Sequence, residues 1–155
     1  MISDALLQSV YLFSELAPDE RTQLAKIAEP VTLAGGVPVF RSGDAATALY
    51  LVKDGSVRIS TISAGGETVN VATLASGAHF GEMGLLDGAK RSATVETLEP
   101  TSLFRFDYGR IRAVLEASPP MAARVYRSFA QFLSHRLRQT TTDMSFAREK
   151  NLRHF

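Results

Sequence analysis

Phe80-Gly81-Glu82-Met83-Gly84-Leu85-Leu86-Asp87-Gly88-Ala89-Lys90-Arg91-Ser92-Ala93-Thr94-Val95 is the stretch on which the fold of this chain turns. It opens and closes on apolar residues and sets three glycines, Glu82, Arg91 and Ser92 between them. Glu82 and Arg91 are too far apart for a helical pair, but a loop between them can aim both at one small ligand. Glycine permits sharp turns and close backbone approach. Gly84-Leu85-Leu86 suits one short helical turn, whose free N–H groups favour an anion. Arg91 offers a fork of donors matched to phosphate oxygens. An ionised Glu82 can only accept, so it suits a hydroxyl donor. Together they describe a site for a sugar phosphate bearing a free hydroxyl. A tight turn with a solvated Glu and Arg on its rim is the alternative.

Outward from this stretch the pattern is that of short strands. Glycines at 43, 55, 65–66 and 77 punctuate alternating apolar segments at ten- to twelve-residue intervals, the spacing of a sandwich or barrel. Strands are expected over 37–40, 49–52, 56–62, 68–74, 93–97 and 102–106. Gly65-Gly66 marks a hairpin, and Pro38 is tolerated only near an edge or a strand start. His79 reads as a turn residue. Before the strands, 3–13 and 18–28 carry helical spacing, with Ser3 or Asp4 as a cap, Pro18 at the second start, and Glu29-Pro30 as its end. After them, Asp107 caps a helix over 108–117. Ser118-Pro119-Pro120 breaks it, and a long helix begins at Met121. Its apolar positions Ala122, Tyr126, Phe129, Leu133, Leu137, Thr140 and Met144 approach a heptad seam. The seam serves equally for pairing with a second copy or for packing on the chain's own barrel. Thr140-Thr141-Thr142 are poor helix formers on an otherwise good helix. The tail, 145–155, can extend the helix, fold over the site or stay disordered.

The 155 residues suit one domain (1–155), divided into a helical lead-in (1–30), a β unit (31–106) and C-terminal helices (107–155). With 45% hydrophobic and 21% charged residues the composition is that of a globular protein. The net charge of +1 points to no partner by itself. Residues 1–106 hold eight Lys/Arg against twelve Asp/Glu and residues 107–155 nine against four, a basic C-terminal third that reads best as a solvated helix face. The absence of cysteine removes disulfides, thiol catalysis and cysteine-ligated metals, and fits a reducing cytoplasm. Met1-Ile2-Ser3-Asp4 lacks the positive start expected of a secretory signal, and no apolar run approaches membrane-spanning length. The three histidines, His79, His135 and His154, are scattered, which argues against a cupin-like metal enzyme; no metal or other cofactor is expected.

Phe80-Gly81-Glu82, Leu85 and Arg91-Ser92-Ala93-Thr94 resemble the phosphate-binding cassette of the cyclic-nucleotide-binding domain family, roughly F-G-E-x-x-L followed by R-[AST]-A. Leu12-Phe13-Ser14-Glu15-Leu16-Ala17-Pro18-Asp19-Glu20 resembles the helical lead-in of such domains. Lys90 departs from the pattern, since many members have proline before the arginine. The resemblance implies a mainly β fold with flanking helices, an eight-stranded jelly roll holding cAMP or cGMP against its cassette. It implies that Glu82 accepts from the ribose 2′-OH and that Arg91 holds the cyclic phosphate, helped by backbone N–H groups near Met83, Gly84 and Leu85. Ser92 would contact the phosphate or the base, Ala93 keeps the floor shallow, and Ile59 and Val71 would form the walls.

A closer resemblance is to the effector domain of bacterial catabolite-activator-type transcription factors, carried by Lys53-Asp54-Gly55-Ser56-Val57, Leu74-Ala75-Ser76-Gly77 and Arg136-Leu137-Arg138-Gln139-Thr140-Thr141. It gives Arg136 a structural or phosphate-side role and puts Thr140 and Thr141 over the base and in a dimer seam. It departs in a shorter cassette loop and an extra turn after Pro119-Pro120. Such factors continue into a winged helix-turn-helix, for which this sequence leaves no room. The expectation is a sensor that answers cAMP more readily than cGMP and signals through its last helices to a homodimer or an effector protein, without direct DNA binding. A ligand-free interaction module of the same fold is the other reading.

Overall fold

The computed structural model describes residues 1–152. It contains eight antiparallel strands in two four-stranded sheets, packed with five α-helices. One sheet runs β1 (Glu29–Leu33), β8 (Thr101–Asp107), β3 (Ala48–Asp54), β6 (His79–Phe80); the other runs β2 (Pro38–Phe40), β7 (Thr94–Thr97), β4 (Ser56–Ile62), β5 (Thr68–Ala75). This is the expected jelly roll. Pro30 and Pro38 both lie on edge strands, where a missing N–H costs no ladder bond. The β4–β5 hairpin turns through Gly66 at φ +83°, with Ser63 N–H donating to Glu67 O at 2.8 Å.

Three expectations are corrected here. The second helix, α2 (Pro18–Ile27), ends before Glu29-Pro30 as expected, but those two residues already belong to β1 and not to the lead-in. The last helix, α5 (Pro119–Leu152), starts at the prolines rather than after them, since proline fits the first turn of a helix. His79 is not a turn residue but half of β6, paired with Leu51 of β3 and buried.

The burial pattern explains why β3 is a continuous apolar run. Leu49 and Leu51 face a core shared with the helices, while Tyr50 and Val52 face the interior between the sheets. A strand covered on both faces loses the polar half of its alternation. The interior cluster, Val52, Val57, Phe80, Val95 and Leu103, fills only part of the roll. The larger cluster joins α1 (Asp4–Ser9), the 3₁₀ turn Tyr11–Phe13, α2, α4 (Tyr108–Glu116) and the first turns of α5 to the outer face of β3 and β8. Ser3 caps α1 and Asp107 caps α4, accepting from Leu6 N–H and Arg110 N–H. Arg124 of α5 makes a double contact to Glu20 of α2, at 2.6 and 2.7 Å, and Arg21 reaches Asp4 at 2.7 Å. The first ties the lead-in to α5, and the second ties α2 to α1 within the lead-in.

Along α5, Met121, Val125 and Phe129 are buried in the helix-side core, whereas Leu137 and Met144 are each 67% exposed. The first turns therefore pack on the chain's own body, and the remainder of the seam is uncovered in the single chain. The helix carries on through the expected tail as far as Leu152, and residues 153–155 lie outside those described. Among the described residues no helix is long and apolar enough to cross a membrane.

Candidate functional site

Phe80 anchors the site. As the last residue of β6 it is 2% exposed, stacked on Tyr50 with ring centroids 5.3 Å apart and tilted against Phe40 at 5.9 Å. The chain then turns through Gly81 at φ +78°, where a Cβ would come within 2.8 Å of the Arg91 guanidinium. That turn delivers Glu82 to the start of α3 (Met83–Asp87) as its N-terminal flank, 2% exposed. Gly84 is obligatory in size: a Cβ there would lie 2.6 Å from Ala46 Cβ and 3.0 Å from the Tyr108 hydroxyl. Leu85 points into the helix-side core, while Met83 is half exposed. The short helix ends at Gly88, φ +67°, whose N–H returns to Gly84 O at 2.9 Å.

Arg91 is fixed at its backbone by Asp44 O, 2.9 Å from its N–H. Its side chain is 8% exposed and lies over the Phe40 ring at 3.9 Å. Nη1 donates to Gly81 O at 2.9 Å and to the Tyr108 hydroxyl at 3.2 Å, and Nη2 donates to Ala48 O at 2.6 Å. The Tyr108 hydroxyl in turn donates to Gly81 O. Burial pushes the Tyr108 phenol above its ordinary range, against the opposing pull of Arg91, so it stays a donor at neutral pH.

A cavity of about 560 Å³ opens over this floor, within the roughly 300–1,000 Å³ usual for small-molecule sites. Glu82, Arg91, Ser92 and Ala93 border it from the cassette, and Ile59 and Val71 from the strands, with Phe132 and Arg136 from α5 above. The sites expected from the sequence thus come together, except for Leu85, which faces the helix-side core, and for two residues of α5. Thr140 and Thr141 are exposed, further along α5, outside the lining of this cavity. The sequence reading missed Phe40, Tyr108, His79 and Phe132. Tyr108 directly follows a helix cap and Phe132 precedes Arg136 by one turn, so each had a local signal, though one that any core residue shares.

Four buried side-chain polar atoms have no hydrogen-bond partner among the described residues, and three border this cavity: Arg91 Nε, Glu82 Oε1 and His79 Nδ1. Buried polar groups are ordinarily paired. A guanidinium and a carboxylate bordering the same cavity suit a ligand carrying an anion and a hydroxyl.

Residues 30–118 match the family described as cyclic nucleotide-binding domain. The chain is 36% identical over 146 residues to the cyclic AMP receptor protein of Thermus thermophilus, covering 90% of this chain and 64% of that protein. It is 36% identical over 92 residues to a cAMP-dependent protein kinase regulatory subunit of Blastocladiella emersonii, covering 59% of this chain and 23% of that one. Its fold is similar to the crystal structure of Thermus thermophilus catabolite activator protein, with a TM-score of 0.78 and 33% identity, covering 88% of this chain and 62% of the other. The chain spans less than two thirds of the length of each of these relatives.

Proposed function

The chain belongs to the cyclic nucleotide-binding domain family, and from that premise we propose that it binds cAMP in preference to cGMP and relays occupancy through α4 and α5. The observation that carries this reading is that Arg91, whose Nε has no partner, and the carboxylate of Glu82, to which no side chain donates among the described residues, border one cavity. A cyclic phosphate would engage Arg91 and the N-terminal backbone of α3. The ribose 2′-OH would donate to Glu82. Ile59 and Val71 would contact the base, with Arg136 near the phosphate side or bracing the helix above. Each charge-assisted hydrogen bond in such a buried place contributes about 1.5–3 kcal/mol. The preference for cAMP rests on the Arg136–Thr141 run and on the cyclic AMP receptor protein among the relatives.

Relay follows from Tyr108. It is the first residue of α4 and shares Gly81 O with Arg91. A phosphate that draws Arg91 away alters the partners of that tyrosine and with it the seating of α4. The uncovered part of α5 would pair with a second copy, bringing Thr140 and Thr141 over the base, or would meet an effector protein. The setting is the cytoplasm, where cyclic nucleotides occur.

Calorimetric titration with both nucleotides tests the proposal. Ligand at a hundred times its dissociation constant stabilises the folded state by about 2.7 kcal/mol. Wild type should therefore show a thermal shift, larger for cAMP, which Arg91→Ala abolishes while retaining its circular dichroism. No shift with about millimolar cAMP or cGMP defeats the reading.

A further inference from the structure

His79 is the third of the unpartnered buried groups at the cavity, and cyclic-nucleotide binding as proposed above gives it no task. Its side chain is 5% exposed and that of Glu82 is 3% exposed. Its Nδ1 lies 3.5 Å from Glu82 Oε1, and neither atom has another partner. Its backbone in β6 is paired to Leu51 of β3, and its ring is tilted against that of Phe132 of α5 with centroids 4.5 Å apart, which limits its swing. We infer that His79 is a positioning residue for Glu82: its Nδ1–H donates to Oε1 and leaves Oε2 aimed at a hydroxyl of the bound sugar, an inference that rests on the nucleotide reading.

The chemistry admits little else. A neutral imidazole carries its proton on one nitrogen only. If that were Nε2, the lone pair of Nδ1 would face a carboxylate oxygen across a space with no water-facing escape, a repulsive arrangement. With Nδ1–H, a shift of a few tenths of an ångström brings the pair to ordinary hydrogen-bond length. Without that donor, a buried carboxylate has no fixed direction and loses its discrimination between ribose and deoxyribose. Arg91 and Lys90 border the same cavity and Arg136 lies above it, but none of them makes a hydrogen bond to Glu82 among the described residues.

The test is the ratio of dissociation constants for 2′-deoxy-cAMP and cAMP in the full chain. Wild type should bind the deoxy analogue at least about tenfold more weakly, the value of one charge-assisted hydrogen bond. His79→Phe keeps a ring against Phe132 and removes the donor, and the ratio should fall below about threefold. His79→Asn places an N–H near the former Nδ1 and should restore most of the ratio. A residue that merely fills space would weaken both nucleotides equally, and an unchanged ratio in His79→Phe overturns the inference while leaving nucleotide binding standing. Wild type that binds neither nucleotide overturns the nucleotide reading itself, and this inference with it. Should His79→Phe fail to fold, ¹⁵N spectra of the wild-type histidines decide: an Nδ1–H signature for His79 in the complex supports the role, and an Nε2–H tautomer overturns it.

Discussion

Gly81→Ala and Gly36→Ala place the same methyl on two backbones of nearly equal φ. Gly36 has φ +75° and Gly81 has φ +78°, so both variants incur a similar left-handed cost of about 1–2 kcal/mol, part of it offset by the stiffer unfolded chain. The surroundings differ. Nothing lies within 4 Å of a Cβ at Gly36, whereas at Gly81 the methyl meets Arg91 Nη1 at 2.8 Å, Ala48 O at 3.2 Å and Phe40 Cε2 at 3.3 Å. An arginine tip is ordinarily free to move aside. Here it is held by Gly81 O, Ala48 O and the Phe40 face. Moving it lengthens hydrogen bonds from a charged donor that are worth about 1.5–3 kcal/mol each. We therefore expect Gly81→Ala to be about 1.5–3 kcal/mol less stable than Gly36→Ala. For a chain of this length that is roughly 3–12 °C in midpoint. Urea unfolding reads the difference as a shift in midpoint at constant slope. Titration on the same samples should show cAMP affinity lowered at least about tenfold in Gly81→Ala and unchanged in Gly36→Ala, since only the former displaces the phosphate ligand. Two variants equal in stability to within about 0.5 kcal/mol would refute the idea that Arg91 is pinned before any ligand arrives.

Gly55→Ala should be worse still. Its Cβ would meet Thr101 Oγ1 at 2.5 Å, Pro100 O at 2.7 Å and Thr101 Cα at 2.8 Å, mostly backbone with nowhere to go. A loss of at least about 3 kcal/mol is expected in the same unfolding assay, and a loss under about 1 kcal/mol contradicts the packing of β3–β4 against β8. Acid should loosen both the clamp between the lead-in and α5 and the tie between α1 and α2. The Arg124 guanidinium holds the Glu20 carboxyl below its ordinary 4.5, and Arg21 holds that of Asp4 below 3.8. A depressed carboxylate contributes stability above its unfolded pKa and loses it as pH falls through the folded one, so stability should decline below about pH 4.5. Arg124→Gln should flatten that decline; parallel curves for variant and wild type would show that the pair is not its source. Leu137→Glu should convert a nucleotide-bound dimer to monomer by sedimentation, and a wild type that sediments as a monomer at every concentration rejects the α5 seam.

The cassette was legible because its working residues are neighbours in sequence: Gly81, Glu82, Gly84 and Arg91 carry their own turn and charge signals. The strands were legible because glycines set their length, and the two prolines fell on edges as the missing N–H requires. His79–Phe80 escaped because two residues have no measurable period, and its strand exists only through pairing with Tyr50 and Leu51, nearly thirty residues away. Phe40 and Phe132 escaped for a different reason. An aromatic residue that lines a cavity and one that fills a core look alike until the chain closes. The heptad pattern in α5 blurred two tasks, since its first turns bury Phe129 and its later turns leave Leu137 and Met144 uncovered.

That Arg91 is already occupied bears on how such a domain could act as a switch. A guanidinium left dangling would greet phosphate with little consequence for the rest of the chain. In this structure its donors serve Gly81 O, Ala48 O and the Tyr108 hydroxyl, which join the cassette, β3 and α4. Nε has no partner, and Nη2 uses one of its two N–H donors among the described residues. A phosphate that takes Nε alone leaves the carbonyl partners in place and favours neither seating of α4. One that takes a donor already serving a carbonyl or the tyrosine must displace that partner, and its binding energy is then drawn on by the rearrangement. A ligand shifts an equilibrium only by its difference in affinity for the two arrangements. The second mode supplies that difference, and the first does not. Tyr108→Phe separates them. It removes the hydroxyl between Arg91 and Gly81 while keeping the ring under Gly84, so under the second mode it should tighten nucleotide binding and weaken its effect on α5, whereas under the first it should change neither.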